Sequence, residues 1–125
     1  MSETLVKFTV PVAPITKKNS QRIVKLGNRP CILPSEKYQQ YESLALWYVP
    51  KCGVPIDFPV NVTCLFYMPT RHTCDLTNLL EAIDDVMVKA GLLQDDNYNI
   101  IAAHDGSRVL YDKHNPRTEV VISKF

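Results

Sequence analysis

The chain has 125 residues, of which 46% are hydrophobic and 22% charged, with a formal net charge of +1. That length fits one folded domain with its own core, and the composition excludes a disordered chain. No apolar run approaches the roughly 18 residues of a membrane span, and the start of the chain does not read as a secretory leader, so a cytoplasmic protein is expected.

The first element in chain order is a strand at residues 5–11, where Val6, Phe8 and Val10 alternate with Lys7 and Thr9 until Pro11 and Pro14 end it. Residues 15–22 are polar and basic and read as a loop. Residues 22–33 form a hairpin pattern around Gly27 and Asn28. Ser35 stands where an N-cap belongs, ahead of a helix in which Tyr38, Tyr41, Ala45 and Tyr48 recur at helical spacing and which Pro50 stops. Trp47 and the tyrosines on this helix read as core or dimer interface, with core the favoured place for Trp47.

The clearest strand is 60–68, with Val60, Val62, Cys64, Phe66 and Met68 facing one way. A second helix at about 75–90 carries Leu76, Leu79, Leu80, Ile83, Val86, Met87 and Ala90 as an apolar stripe, with Gly91 suited to its C-terminal stop. An acidic loop at 94–97 leads into a strand at about 98–104, and a last strand at 117–124 follows it directly. The expected fold class is α/β (α+β): a single compact domain over residues 1–125, a mixed β-sheet with two main helices packed on it.

Charge is unevenly spread. Residues 4–35 hold six basic side chains and no acid, whereas 75–105 hold seven acids and one base, Lys89. Such a split suits a phosphate-gripping region beside a cation-holding one. The four cysteines (Cys31, Cys52, Cys64, Cys74) contain no C-x-x-C pair and read as reduced thiols, without a zinc site. His72, His104 and His114 are scattered, with no spacing that links them.

On a helical wheel, Asp75, Asn78, Asp85 and Lys89 share one polar side of the second helix, while Thr77, Glu81 and Asp84 share the adjacent strip. Asp95 and Asp96 arrive from the loop that follows. Clustered carboxylates with open coordination positions are what hydrolysis of a phosphodiester by magnesium requires. Each also has a plain structural reading: Asp75 as an N-cap, Asp84 and Asp85 as a solvated face, and Asp95, Asp96 and Asn97 as turn chemistry.

The ordered set Met68-Pro69, Arg71, Asp75-Leu76, Asn78, Lys89-Ala90-Gly91 and Asp95-Asp96 resembles the signature of RusA-type Holliday junction resolvases, a family common in bacterial and prophage genomes. The stretch ending in Lys17, Lys18 and Asn19 is similar to that family's proline-rich segment. The resemblance implies a RusA-like fold and a homodimer that nicks four-way DNA junctions with Mg2+, for which Mn2+ can substitute. It implies Asp75 and Asp96 as metal-binding catalytic carboxylates with Asp95 beside them. Lys17, Lys18, Asn19, Arg71, Asn78 and Lys89 are the implied DNA contacts.

Two positions depart from the pattern. Thr77 replaces the second acid of the family's D-L-D-N, and Glu81 replaces a lysine one turn later. Glu81 projects from the same strip as Thr77, so it is expected to supply the missing carboxylate to catalysis and metal binding. A second reading stays open at this stage, a junction-binding module that has lost catalysis.

Overall fold

The alternation in VNVTCLFYM builds the strand around which the sheet is organised, and every second residue from Val60 to Phe66 is fully buried. The computed structural model describes residues 3–16, 21–51 and 53–125, with backbone alone for 21–26 and 31–34. In chain order the described elements are β1 (Thr4–Val10), β2 (Gln21–Leu26), β3 (Arg29–Pro34), α1 (Glu36–Tyr48), β4 (Val60–Met68), α2 (Leu76–Lys89), β5 (Ile101–Ala103), β6 (Arg108–Tyr111) and β7 (Arg117–Lys124). Strands β2 and β3 form the expected hairpin, closed by Gly27 at φ 65°.

The main sheet runs β1-β7-β4, and the far edge of β4 is shared by β5 and then β6. β7 lies antiparallel to both β1 and β4, while β5 and β6 run parallel to β4, so the sheet is mixed. Phe8, Val10, Val60, Val62, Cys64, Phe66, Val120 and Ile122 point to one face. Tyr38, Tyr41 and Ala45 of α1 and Leu79, Ile83, Val86 and Met87 of α2 complete the same core. Full burial of such a side chain stabilises the fold by about 1.5–3 kcal/mol. A salt bridge from Lys89 Nζ to Glu42 Oε2, 2.8 Å, ties the two helices together. Lys7, Thr9, Thr63, Leu65, Glu119 and Val121 lie on the opposite, open face.

Ser35 caps α1 as its sequence position predicts, its Oγ accepting from the Tyr38 amide at 3.1 Å. Trp47, expected in the core, is 85% exposed. It stands about 200° around the helix from Ala45, which is buried, and so faces away from the sheet.

The strand expected at 98–104 is shorter, and another follows it. Asn97 organises a turn, its carbonyl accepting from the Ile100 and Ile101 amides at 3.0 and 2.9 Å, so pairing begins only at Ile101. After Ala103 the chain leaves the ladder, turns through Gly106 at φ 86°, and rejoins β4 as β6. Between the Val60–Ile101 and Leu65–Arg108 pairings the edge uses two more residues than β4 does, which is the local excess of a bulge. Ser107 Oγ and the Asp105 carbonyl stitch this detour to β4, accepting from the Cys64 amide at 3.0 Å and from Thr63 Oγ1 at 2.7 Å.

Candidate active site

β4 and β6 both end at Met68 and Tyr111, which are paired in register, and the chain turns from there into α2. In open α/β sheets ligands bind beyond the carboxyl ends of the strands, and this turn carries Arg71, His72 and Asp75 to that end. Asp75 occupies the N-cap position of α2 with extended backbone, yet its side chain makes no capping hydrogen bond. Its Oδ2 instead accepts from Asn78 Nδ2 at 3.3 Å, and the carboxylate is exposed at the positive end of the helix dipole. Thr77 and Glu81 are also exposed on this half of the helix.

Arg71 lies over the Tyr111 ring, its guanidinium carbon 4.2 Å from the ring centroid. A depression of about 340 Å³ is lined by Met68, Thr70, Arg71, His72, Val109, Leu110 and Tyr111. The only other Arg–Tyr stack among the described residues, Arg117 over Tyr67 at 3.7 Å, is at the same end of the sheet.

The C-terminal half of α2 is built differently. Asp84 is only 7% exposed, and its Oδ2 lies 2.9 Å from His104 Nε2. His104 Nδ1 lies 2.8 Å from the Val62 carbonyl oxygen. A carbonyl can only accept, so Nδ1 carries a proton, and a second proton must sit between Nε2 and Oδ2. The pair therefore holds two protons in all and is neutral overall. Burial pushes the Asp84 carboxyl above its ordinary range, opposed by the hydrogen bond and charge of His104. Burial pulls His104 down, but the hydrogen bond to Asp84 and its charge outweigh that and raise it. The bulge after β5 is what turns this imidazole under α2.

Asp84 is also repelled by Asp96 and Asp85. Asp96 is held above the usual carboxylate range by desolvation, by a hydrogen bond with Asp95, and by the charges of Asp85 and Asp95. Asp95 is engaged within its own loop, Oδ1 accepting from the Asp96 amide at 2.7 Å and Oδ2 from Asn97 Nδ2 at 3.1 Å.

The acids of the sequence pattern thus fall into two groups. Asp96 stands with Asp95, Asp85 and Asp84 toward the C-terminal half of α2, and Asp75 stands at its N-terminus, about 15 Å of helical rise from Asp85. Among the described residues no three His, Cys, Asp or Glu side chains are grouped to hold a metal ion. Of the expected DNA contacts, Arg71 is exposed, Asn78 bonds Asp75, and Lys89 is paired with Glu42. Lys17, Lys18 and Asn19 lie outside the described residues.

Three participants are not in the sequence pattern. Asp84, taken as part of a solvated face, is buried because it lies four residues after Leu80 and three before Met87, within the flank of the apolar stripe. Those neighbours were the available signal for Asp84. His104 and Tyr111 had none, since their partners are distant in the chain.

The chain matches the family described as Endodeoxyribonuclease RusA over residues 11–123. It is also similar to the Crossover junction endodeoxyribonuclease RusA of Aquifex aeolicus (strain VF5), 29% identical over 86 residues. That match covers 67% of this chain and 66% of the relative.

Proposed function

The chain belongs to the RusA endodeoxyribonuclease family, and from that premise we propose that it nicks Holliday junctions symmetrically as a homodimer, in DNA recombination or repair of phage or prophage type. The observation that carries the proposal is the Asp75 carboxylate, exposed after the carboxyl end of β4, not consumed in capping, and in the same turn as an exposed Arg71. Hydrolysis of a phosphodiester needs positive charge on the phosphate and a group that orients water or a cation, and this turn presents both kinds of side chain. Two copies related by a two-fold axis match the two-fold symmetry of a four-way junction, which is why paired cuts call for a dimer.

In this reading Asp75, Asp96 and Glu81 are the catalytic carboxylates, with Asp95 beside Asp96, and Mg2+ is the cation, replaceable by Mn2+. The described carboxylates of one chain do not fit a preassembled three-ligand metal site, so the metal dependence rests on the family. Asn78 steadies Asp75. Lys17, Lys18, Asn19, Arg71 and Lys89 contact the DNA backbone, Lys89 after release from Glu42.

The test is cleavage of a labelled four-way junction and a matched linear duplex, in Mg2+ and in chelator. Nicking of the junction alone, at symmetric positions and only with the cation, is expected for the native protein. Asp75→Asn and Asp96→Asn should each lower the rate by about 100-fold or more. Glu81→Gln should lower it as well, and full activity in that variant would remove Glu81 from the mechanism. Tight junction binding without cutting in either metal would instead favour a binding module, the reading that Thr77 and Glu81 also accommodate.

A further inference from the structure

The two Arg–Tyr stacks at the carboxyl end of β4 have opposite electrostatic surroundings. Arg117 lies over Tyr67 on the open face, and its Nε and Nη1 are both committed to protein acceptors. Its Nε donates to Glu119 Oε2 at 2.7 Å, and its Nη1 donates to Asp112 Oδ2 and the Asn115 carbonyl, each at 2.9 Å. That guanidinium is neutralised by two carboxylates and is a structural clasp.

Arg71 has the ring and lacks the carboxylates. Tyr111 is paired with Met68, whose side chain packs against the core, so alternation turns Tyr111 to the helix-bearing face, beside the turn that leads to Asp75. Arg71 stacks on that ring and makes no hydrogen bond or ion pair among the described residues. A stacked guanidinium keeps its planar edge of N–H donors clear of the ring, the geometry for meeting two oxygens of a phosphate.

We propose that Tyr111 is a positioning residue whose ring holds Arg71 in readiness for one backbone phosphate of the DNA next to Asp75. The assignment rests on the nuclease reading above and adds to it a residue that the sequence pattern does not contain. Tyr111 is 41% exposed on an edge strand, so its ring is spent on orienting Arg71 and not on filling the core. Holding an arginine in advance removes part of the side-chain ordering that binding must otherwise supply.

The experiment is a double-mutant cycle on junction binding, at fixed salt and over a salt series, with Tyr111→Leu, Tyr111→Phe, Arg71→Gln and the Tyr111→Leu/Arg71→Gln pair. Melting of each variant checks the fold. Arg71→Gln is expected to weaken binding and reduce the salt slope by about one. Tyr111→Leu should weaken binding roughly three- to five-fold, the scale of an exposed cation–π contact. Tyr111→Phe should retain native affinity because the ring is kept. Tyr111→Leu should add nothing once Arg71 is gone.

An equal loss from Tyr111→Leu in the Arg71→Gln background would overturn the proposal and leave the nuclease reading intact. So would a Tyr111→Phe protein as weak as Tyr111→Leu. A native protein that binds no DNA at any salt would overturn the nuclease reading and this assignment together.

Discussion

Two aspartates nine residues apart on the same helix end up in opposite environments. Asp75 sits at the N-terminus of α2, exposed, with Asn78 as its hydrogen-bond donor. Asp84 is buried against His104, and its Oδ1 has no hydrogen-bond partner among the described residues. The difference lies in what each end of α2 is packed against. At its N-terminus the helix projects past the strand ends. Further along it lies over β4 and the bulged edge strand, where an acid must find a partner or lose its charge. An acid over the sheet therefore reports on stability, while an acid beyond the strands remains available for chemistry.

Breaking the buried pair should give the largest effect on folding. Asp84→Ala or His104→Ala, measured by urea melting, should each cost about 3 kcal/mol, because one buried polar partner is left alone. Replacing both with leucine should restore part of that loss. A single variant as stable as the native protein would refute the neutral, hydrogen-bonded pair.

The contrast sharpens at the other end of α2. Asp75→Asn should change stability by less than about 0.5 kcal/mol, since no capping bond is lost and asparagine suits an N-cap equally well. The same substitution should abolish junction cleavage, which separates an acid kept for chemistry from one kept for packing.

The smallest expected effect is in pH dependence. Both Asp84 and His104 are raised on folding, so the folded state binds more protons than the unfolded one. Their contribution is fully present below the unfolded values, near 4 for Asp84 and 6.5 for His104, and is lost as pH rises through the higher folded values. The stability gap between the native protein and the double-leucine variant should narrow as pH rises from below the unfolded values through the raised folded ones. A gap that widens over this range would reverse the sign and place the pair's protons elsewhere.

Much of this fold could be read from periodicity. Alternation located β1 and β4, the β-propensity of Val120, Val121 and Ile122 located β7, helical spacing located α1 and α2, and Ser35 marked a helix start whose cap is made as expected. β6 escaped because four residues between a glycine turn and Asp112 carry too little pattern to register. The motif around Asp75 identified the turn that reaches beyond the sheet. It did not reveal Asp84 with His104, or Arg71 with Tyr111, because those pairings are made by a bulge and a strand register rather than by spacing along the chain.

The place of β7 bears on how the protein is made. Residues 117–124 are hydrogen-bonded on one side to β1 and on the other to β4, so the ladders at the centre of the sheet wait for a segment that follows every other described strand in the chain. Until it arrives, a nascent chain can form its helices, its hairpin and the β4 edge with β5 and β6, but β1 has no partner and the core face stays incomplete. A chain interrupted just before Arg117 would lack the strand that joins β1 to β4, leaving an exposed, aggregation-prone intermediate.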